Sequence, residues 1–316
     1  MIIPLLLALS GALSSDPVLL IVNKQAGTVS IVNLKTGTIT ATLPTGNGPH
    51  ETAASGDGRW GVVTNYGAQV PGSSLTVVDI PAGRVTRTID LGFTRPHGVL
   101  FLPDNRTVAV TSETSQSVFM VDVIDGKVIG DYATDQQGSH MVALNRDGTR
   151  GYTANIGSGT ISALNLRQNE AARTLRVGTQ TEAIGLSPDG KEAWLGSNNT
   201  GKVFVVDIEQ WRVTDSMQTS GFPYRIGFSP DGALAIVTNP GSDEIHLFET
   251  RTKARITTLR ASGQPLGLIF APQGGTAWVT LAGSGQVAEV DLIQRSIRRL
   301  LPAGPAPDGI AYADPK

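Results

Sequence analysis

Val62-Val63-Thr64-Asn65, Ala109-Val110-Thr111-Ser112, Tyr152-Thr153-Ala154-Asn155, Trp194-Leu195-Gly196-Ser197, Ile236-Val237-Thr238-Asn239 and Trp278-Val279-Thr280-Leu281 are six copies of one tetrad, and Leu20-Ile21-Val22-Asn23 is a seventh. Self-similarity at a fixed period of this kind signals a repeat architecture. Twelve residues upstream of each of the six tetrads stands a slot, filled in turn by His50, His97, His140, Glu182, Tyr224 and Leu266; Asp308 fills the same slot near the C-terminus. Successive slots lie 47, 43, 42, 42, 42 and 42 residues apart, each behind a turn-forming stretch such as Gly48-Pro49, Arg95-Pro96 or Gly138-Ser139.

Each repeat reads in one order. After the slot comes an apolar strand such as Val99-Leu100-Phe101, then a turn such as Pro188-Asp189-Gly190 or Pro230-Asp231-Gly232. The Asp-Gly pair supplies the positive φ that a tight hairpin needs. The tetrad forms a second strand, a third ends ten residues on in an acid or amide (Asn33, Asp122, Asn165, Asp207, Glu249, Asp291), and a fourth follows, as in Lys127 to Tyr132. Four short antiparallel strands per unit make one propeller blade, so the spacing predicts an all-β, seven-bladed β-propeller. The first tetrad has no inner strand before it, and Gly309-Ile310-Ala311-Tyr312 has nothing after it. The C-terminal inner strand is therefore expected to pair with the N-terminal strands and close the ring, which removes free sheet edges.

The tetrads resemble those of the YVTN-repeat propellers, and the likeness runs through essentially all of the chain after about residue 17. The resemblance implies a propeller fold. For function it implies less, because propellers host lyases, lactonases, electron-transfer subunits and plain binding proteins; activity has to be argued from the site. Lactone hydrolysis is an expectation that rests on the resemblance alone.

Composition agrees with a turn-rich β-fold: 37 Gly and 18 Pro occur in 316 residues, and no long amphipathic stripe stands out. A net charge of -2 provides no basic field for nucleic acid. No interior stretch is long and apolar enough to span a bilayer. Residues 1-15 stand outside the repeat, and an apolar block from Pro4 to Leu9 followed by Ala12-Leu13-Ser14 reads as a signal peptide, although no Lys or Arg precedes it. The expectation is export to the periplasm or the exterior, with residues 16-316 as one propeller domain. The absence of cysteine fits such a compartment, since a closed propeller needs no disulfide.

In a blade, the turn leading into the first strand and the loop between the second and third strands share one face. The slots, together with Lys24, Tyr66, Glu113, Ile156, Asn198, Pro240 and Ala282 just past the tetrads, are thus expected to surround one channel mouth. In circular order Asp308, His50, His97, His140, Glu182 and Tyr224 form an unbroken polar arc, and three of the four histidines in the chain lie in it. Three imidazoles with a carboxylate suit Zn²⁺ or another first-row divalent ion with a position left for water or substrate, so His50, His97, His140 and Glu182 are the expected metal ligands and catalytic groups. Without a metal the same histidines could act as general acid and base. Tyr66, Tyr224, Arg225, Lys24 and Glu113 are expected to contact a small-molecule substrate, with Asp308 orienting a histidine beside it. Two classes of function remain open: a hydrolase or lyase of the lactonase-like kind, and a non-catalytic propeller that binds a partner protein or small ligand at its mouth.

Two smaller readings complete the pattern. The blade of His50 runs fourteen residues, not ten, from tetrad to third-strand acid, which places an insertion at Tyr66 to Ser74, read as a lengthened loop over the arc. His246 is expected on the surface, while Trp60, Tyr152, Trp194 and Trp278 are expected to pack between blades.

Overall fold

Each tetrad forms the second strand of a four-stranded antiparallel sheet, and seven such sheets are present among residues 16–315, which the computed structural model describes. The signal peptide expected at residues 1–15 lies outside the described residues. In the third blade the strands are Pro96–Phe101, Thr107–Ser112, Ser117–Asp122 and Lys127–Ala133, ordered from channel to rim. The first blade is built from Pro307–Ala313, Val18–Asn23, Thr28–Asn33 and Thr38–Pro44, and the pairs Val18↔Ala313, Leu19↔Tyr312 and Ile21↔Ile310 close the ring as anticipated. Among the described residues no helix is long and apolar enough to cross a membrane.

Alternation explains where the core lies. Residues of one strand point to opposite faces of the sheet, and both faces of a blade abut neighbours, so apolar side chains are needed on both. The core accordingly divides into seven apolar clusters, each joining two adjacent blades. Trp194, Tyr152 and Trp278 are buried in three of them and Trp60 packs against a fourth. Burying a side chain of this size contributes roughly 1.5–3 kcal/mol. The third-strand acids and amides cap the following turn: Asn33 Oδ1 accepts from the Lys35 and Thr36 amides, and Asp122 Oδ1 from those of Ile124 and Asp125.

Register at the inner strand places the slots. In the third blade Pro96 pairs with Ser112 and Val99 with Val110, so His97 and Gly98 together oppose the single residue Thr111. The same two-against-one bulge sets His50 and Glu51 against Thr64, Glu182 and Ala183 against Gly196, Leu266 and Gly267 against Thr280, and Asp308 and Gly309 against Val22. A bulge re-aims a side chain and strengthens local twist. The tetrad threonine fills the gap: Thr111 Oγ1 accepts the Gly98 amide at 2.8 Å and donates to the His140 carbonyl of the next blade at 2.6 Å. Thr280 links Gly267 to Asp308, and Thr238 links Arg225 to Leu266, in the same way.

The small residue after the slot matters for the same reason. A Cβ on Gly98 would stand 2.9 Å from the His140 carbonyl, and one on Gly309 would stand 2.6 Å from that of His50. Glycine at these positions lets neighbouring slots approach.

The insertion in the second blade is not a loop. Trp60–Gly67 and Pro71–Asp79 are two lengthened strands whose pairing continues to Gly67↔Pro71, so the extra residues extend the ladder as a projecting hairpin. Arg95 holds it in place by donating to the carbonyls of Gly67 and Ala68 while lying over the Tyr66 ring.

Replacing Thr111 by Val keeps the shape but strands the buried Gly98 amide and His140 carbonyl, at an expected cost of roughly 1–3 kcal/mol. Thr111→Ser should recover most of that loss. Urea unfolding measures both, and a Val variant as stable as the parent would show that the threonine bridge does not hold the slot.

Candidate functional site

Strand and bulge bring three imidazoles into a row, and the Thr111 bridge ties the slot of His97 to that of His140. His97 and His140 stack with ring centroids 3.7 Å apart, His50 and His97 are 5.0 Å apart, and Tyr66 packs against both His50 (4.6 Å) and His97 (5.4 Å). His97 is 2% exposed and His140 8% exposed, so the row lies within the protein. Rim residues reach down to it. Glu113 accepts a bond from the Tyr66 hydroxyl at 2.7 Å and a short one from His140 Nδ1, and Asn198 donates a short bond to Glu182. On the other flank Asp308 takes the Tyr224 hydroxyl at 3.0 Å and stands 3.6 Å from His50 Nδ1 and 3.7 Å from Lys24 Nζ.

The three histidines differ in charge although they touch. Burial pushes His50 down to about 4, outweighing the attraction of Asp308, and burial pushes His97 well below the ordinary value, with His140 adding to the effect. Burial acts on His140 too, but the carboxylates of Glu113 and Glu182 on its two nitrogens together overcome it and raise it to about 9. For Glu113 and Glu182 burial alone would raise the carboxyls; the bonds to His140 outweigh it and hold both below their usual range. At neutral pH the metal-free row therefore contains one imidazolium between two carboxylates and two neutral imidazoles; an ion held by His140 would have to displace its proton.

Not every expected residue sits where the sequence suggested. The slots do gather His50, His97, His140, Glu182, Tyr224 and Asp308 into one arc. The group whose ligand atoms lie within 4.8 Å of one another, however, is His97, Glu113 and His140. Glu113, expected only to touch substrate, replaces His50 and Glu182 in that group because it reaches His140 Nδ1 from the rim. Glu182 Oε1 stands 3.4 Å from His140 Nε2, long for a hydrogen bond. Arg225, expected to be free for an anion, is buried: it pairs closely with Glu51, donates to the Tyr224 carbonyl, lies over the Tyr224 ring and approaches Glu182 at 3.9 Å. His246 is buried rather than superficial, held at Nε2 by Ser220 and Glu244.

Glu51 went unrecognised in the sequence. The position after the slot is otherwise Gly98, Met141, Ala183, Gly267 or Gly309, against which Glu51 and Arg225 are two charges of opposite sign. That contrast was the available signal.

Donor chemistry at the row fits a cation. His50 Nδ1, His97 Nδ1, His140 Nε2 and Asp308 Oδ2 are buried without a hydrogen-bond partner. Buried polar atoms are rarely left so; His50 Nδ1 and Asp308 Oδ2 face each other at 3.6 Å and Glu182 Oε1 stands 3.4 Å from His140 Nε2, spacings just beyond a direct hydrogen bond that an ion or a water would fill. The two imidazoles and one carboxylate that converge, His97, His140 and Glu113, are a borderline-soft set that would suit Zn²⁺ or a related first-row ion.

No protein-family model and no curated protein matches the chain. Among solved structures it is similar to Kuenenia stuttgartiensis hydrazine synthase, at 19% identity over 85% of this chain and 90% of that chain, with a TM-score of 0.76. It is also similar to a functionally unknown protein from Desulfotomaculum acetoxidans DSM 771, at 14% identity over 95% of this chain and 99% of that one, with a TM-score of 0.77. At these identities the likeness shows the fold. The chain is a seven-bladed β-propeller with a buried polar cluster at one mouth of its channel.

The opposed shifts have opposite effects on stability. His50 and His97, held neutral, contribute stability that is complete above 6.5; for His50 it is lost as the pH falls toward about 4. His140 contributes stability that is complete below 6.5 and is lost as the pH rises through about 9. In denaturant titrations of metal-free protein, His50→Asn should remove part of the acid limb, and His140→Asn should flatten the alkaline one. An alkaline limb unchanged in His140→Asn would refute a charged His140.

Proposed function

We propose that the chain is an exported propeller of the YVTN-repeat type that acts on a small molecule at its channel mouth, as a hydrolase or lyase, with a first-row divalent cation held by His97, His140 and Glu113. The observation that carries this reading is the set of orphaned, buried imidazole nitrogens beside carboxylates. Bound there, such an ion would polarise a carbonyl or acidify a water. The remaining residues have parts that follow from their geometry. His50, neutral and next to Asp308, is a proton acceptor at the Asp308 end of the row. Lys24, 43% exposed, supplies a cation for an anionic group of the substrate. Tyr66, its hydroxyl fixed on Glu113, walls the site beneath the projecting hairpin and limits the width of what enters. The resemblance of the tetrads to lactonase-like propellers favours lactones as first substrates to assay, and the apolar block with Ala12-Leu13-Ser14 supports export to the periplasm or beyond.

One observation favours a second reading. Glu113 already bonds His140 Nδ1 and Asn198 already bonds Glu182, which is how a polar plug that merely closes a channel would begin to look. The propeller would then bind a ligand or a partner protein over its mouth without catalysis.

Metal analysis after equilibration with Zn²⁺ or Mn²⁺ separates the two. The catalytic reading predicts one ion per chain, lost in His97→Ala and Glu113→Gln and kept in Glu182→Gln, with circular dichroism unchanged. Protein that takes up no ion would sink the metal-assisted reading, and loss in Glu182→Gln but not in Glu113→Gln would return the ligand set to the slots.

A further inference from the structure

Beyond the Glu51 and Arg225 pair the channel widens into a second space. A cavity of about 930 Å³ runs along the inner strands to the opposite face, where Gly56, Asp57, Asn105 and Arg146 of the hairpin turns border it. Its wall is apolar. Leu100, Met141, Leu186, Phe228, Leu268 and Ile269 line it, and each is partly exposed although it belongs to a strand at the centre of the molecule. Small-molecule sites typically occupy about 300–1,000 Å³, with mostly apolar walls and a few polar groups that fix orientation.

The polar groups here are at the inner end. Glu51 and Arg225 both line the cavity, both are buried, and they pair with each other, so the floor carries an acceptor and a donor whose charges cancel. A carboxylate head that reached Arg225 would also meet Glu51, with Glu182 close behind, since Arg225 Nη1 is 3.9 Å from that residue. An ammonium head that reached Glu51 would also meet Arg225. Burying either charge beside a like charge is unfavourable, whereas a neutral group that can both donate and accept matches the pair.

We propose that this funnel binds a neutral single-chain amphiphile, with its apolar chain along the inner strands and a hydroxyl or amide head against Glu51 and Arg225. None of the three histidines lines this space, so the proposal does not depend on a metal being bound in the row.

Calorimetric titration of the full chain with octanol, octanamide, octanoate and octylamine tests both halves of the proposal. Octanol and octanamide should bind at one per chain with a negative heat-capacity change, and the two charged compounds at least about tenfold more weakly. Leu186→Arg, which places a charge in the wall, should abolish binding; if it fails to fold, Leu100→Arg, at a position 37% exposed, does the same work. The double variant Glu51→Leu with Arg225→Met leaves no lone charge buried, and it should retain chain binding while losing the preference among heads. Equal affinity for all four heads, several molecules per chain, or binding that survives the arginine substitution would each overturn the proposal. So would self-association of the chain across the funnel in place of ligand binding.

Discussion

The hydroxyl of Thr111, accepting the amide just past the His97 slot and donating to the carbonyl of His140, is the contact on which the stacked pair of histidines depends. Hydrophobic burial between blades is non-directional and would tolerate small slips of one inner strand against another. A buried hydroxyl with both bonds made does not, because a slip leaves two polar groups unpaired. Where the bridge is present, as from Thr111 to His140 and from Thr280 to Asp308, consecutive slots are locked at the bulge. Glycine after the slot then sets how closely they approach, which is why His97 and His140 can stack.

Close approach turns three similar side chains into three different ones. Desolvation penalises the charged form of every imidazole in the row, and a single charge is stabilised only where two carboxylates flank the same ring. That ring is His140. Its charge discourages protonation of His97 and His50, so the row divides into one cation and two neutral donors. A site of this kind can hold an ion, move a proton, or simply close the channel, and the orphaned nitrogens weigh toward the first.

The fold was legible because the period and the tetrad are local: each copy repeats the same turn, strand and bulge, and seven copies over-determine the ring. The slots were legible for the same reason. Glu113 was not recognised as a neighbour of the histidine row, since its contact with His140 crosses from one blade to the next and depends on side-chain reach, which spacing does not encode. Arg225 was read as free because its partner, Glu51, is far away in the chain and meets it only across the channel. The second-blade insertion was read as a loop because counting gives the number of extra residues but not whether their backbone groups pair. His246 was placed on the surface because it lies outside the ring of slots; its imidazole is instead buried, with Ser220 and Glu244 at Nε2.

The Glu51 and Arg225 pair also divides the channel into a polar half and an apolar half, so the molecule offers two environments from one set of inner strands. The central claim is that the polar half is a single coupled unit, and nitrogen-15 NMR of the histidine side chains in metal-free protein tests it most directly. Between pH 6.5 and about 9 the account predicts an imidazolium signal from His140 and neutral signals from His50 and His97. Three imidazoles titrating independently near about 6.5, as in a solvated channel, would contradict it.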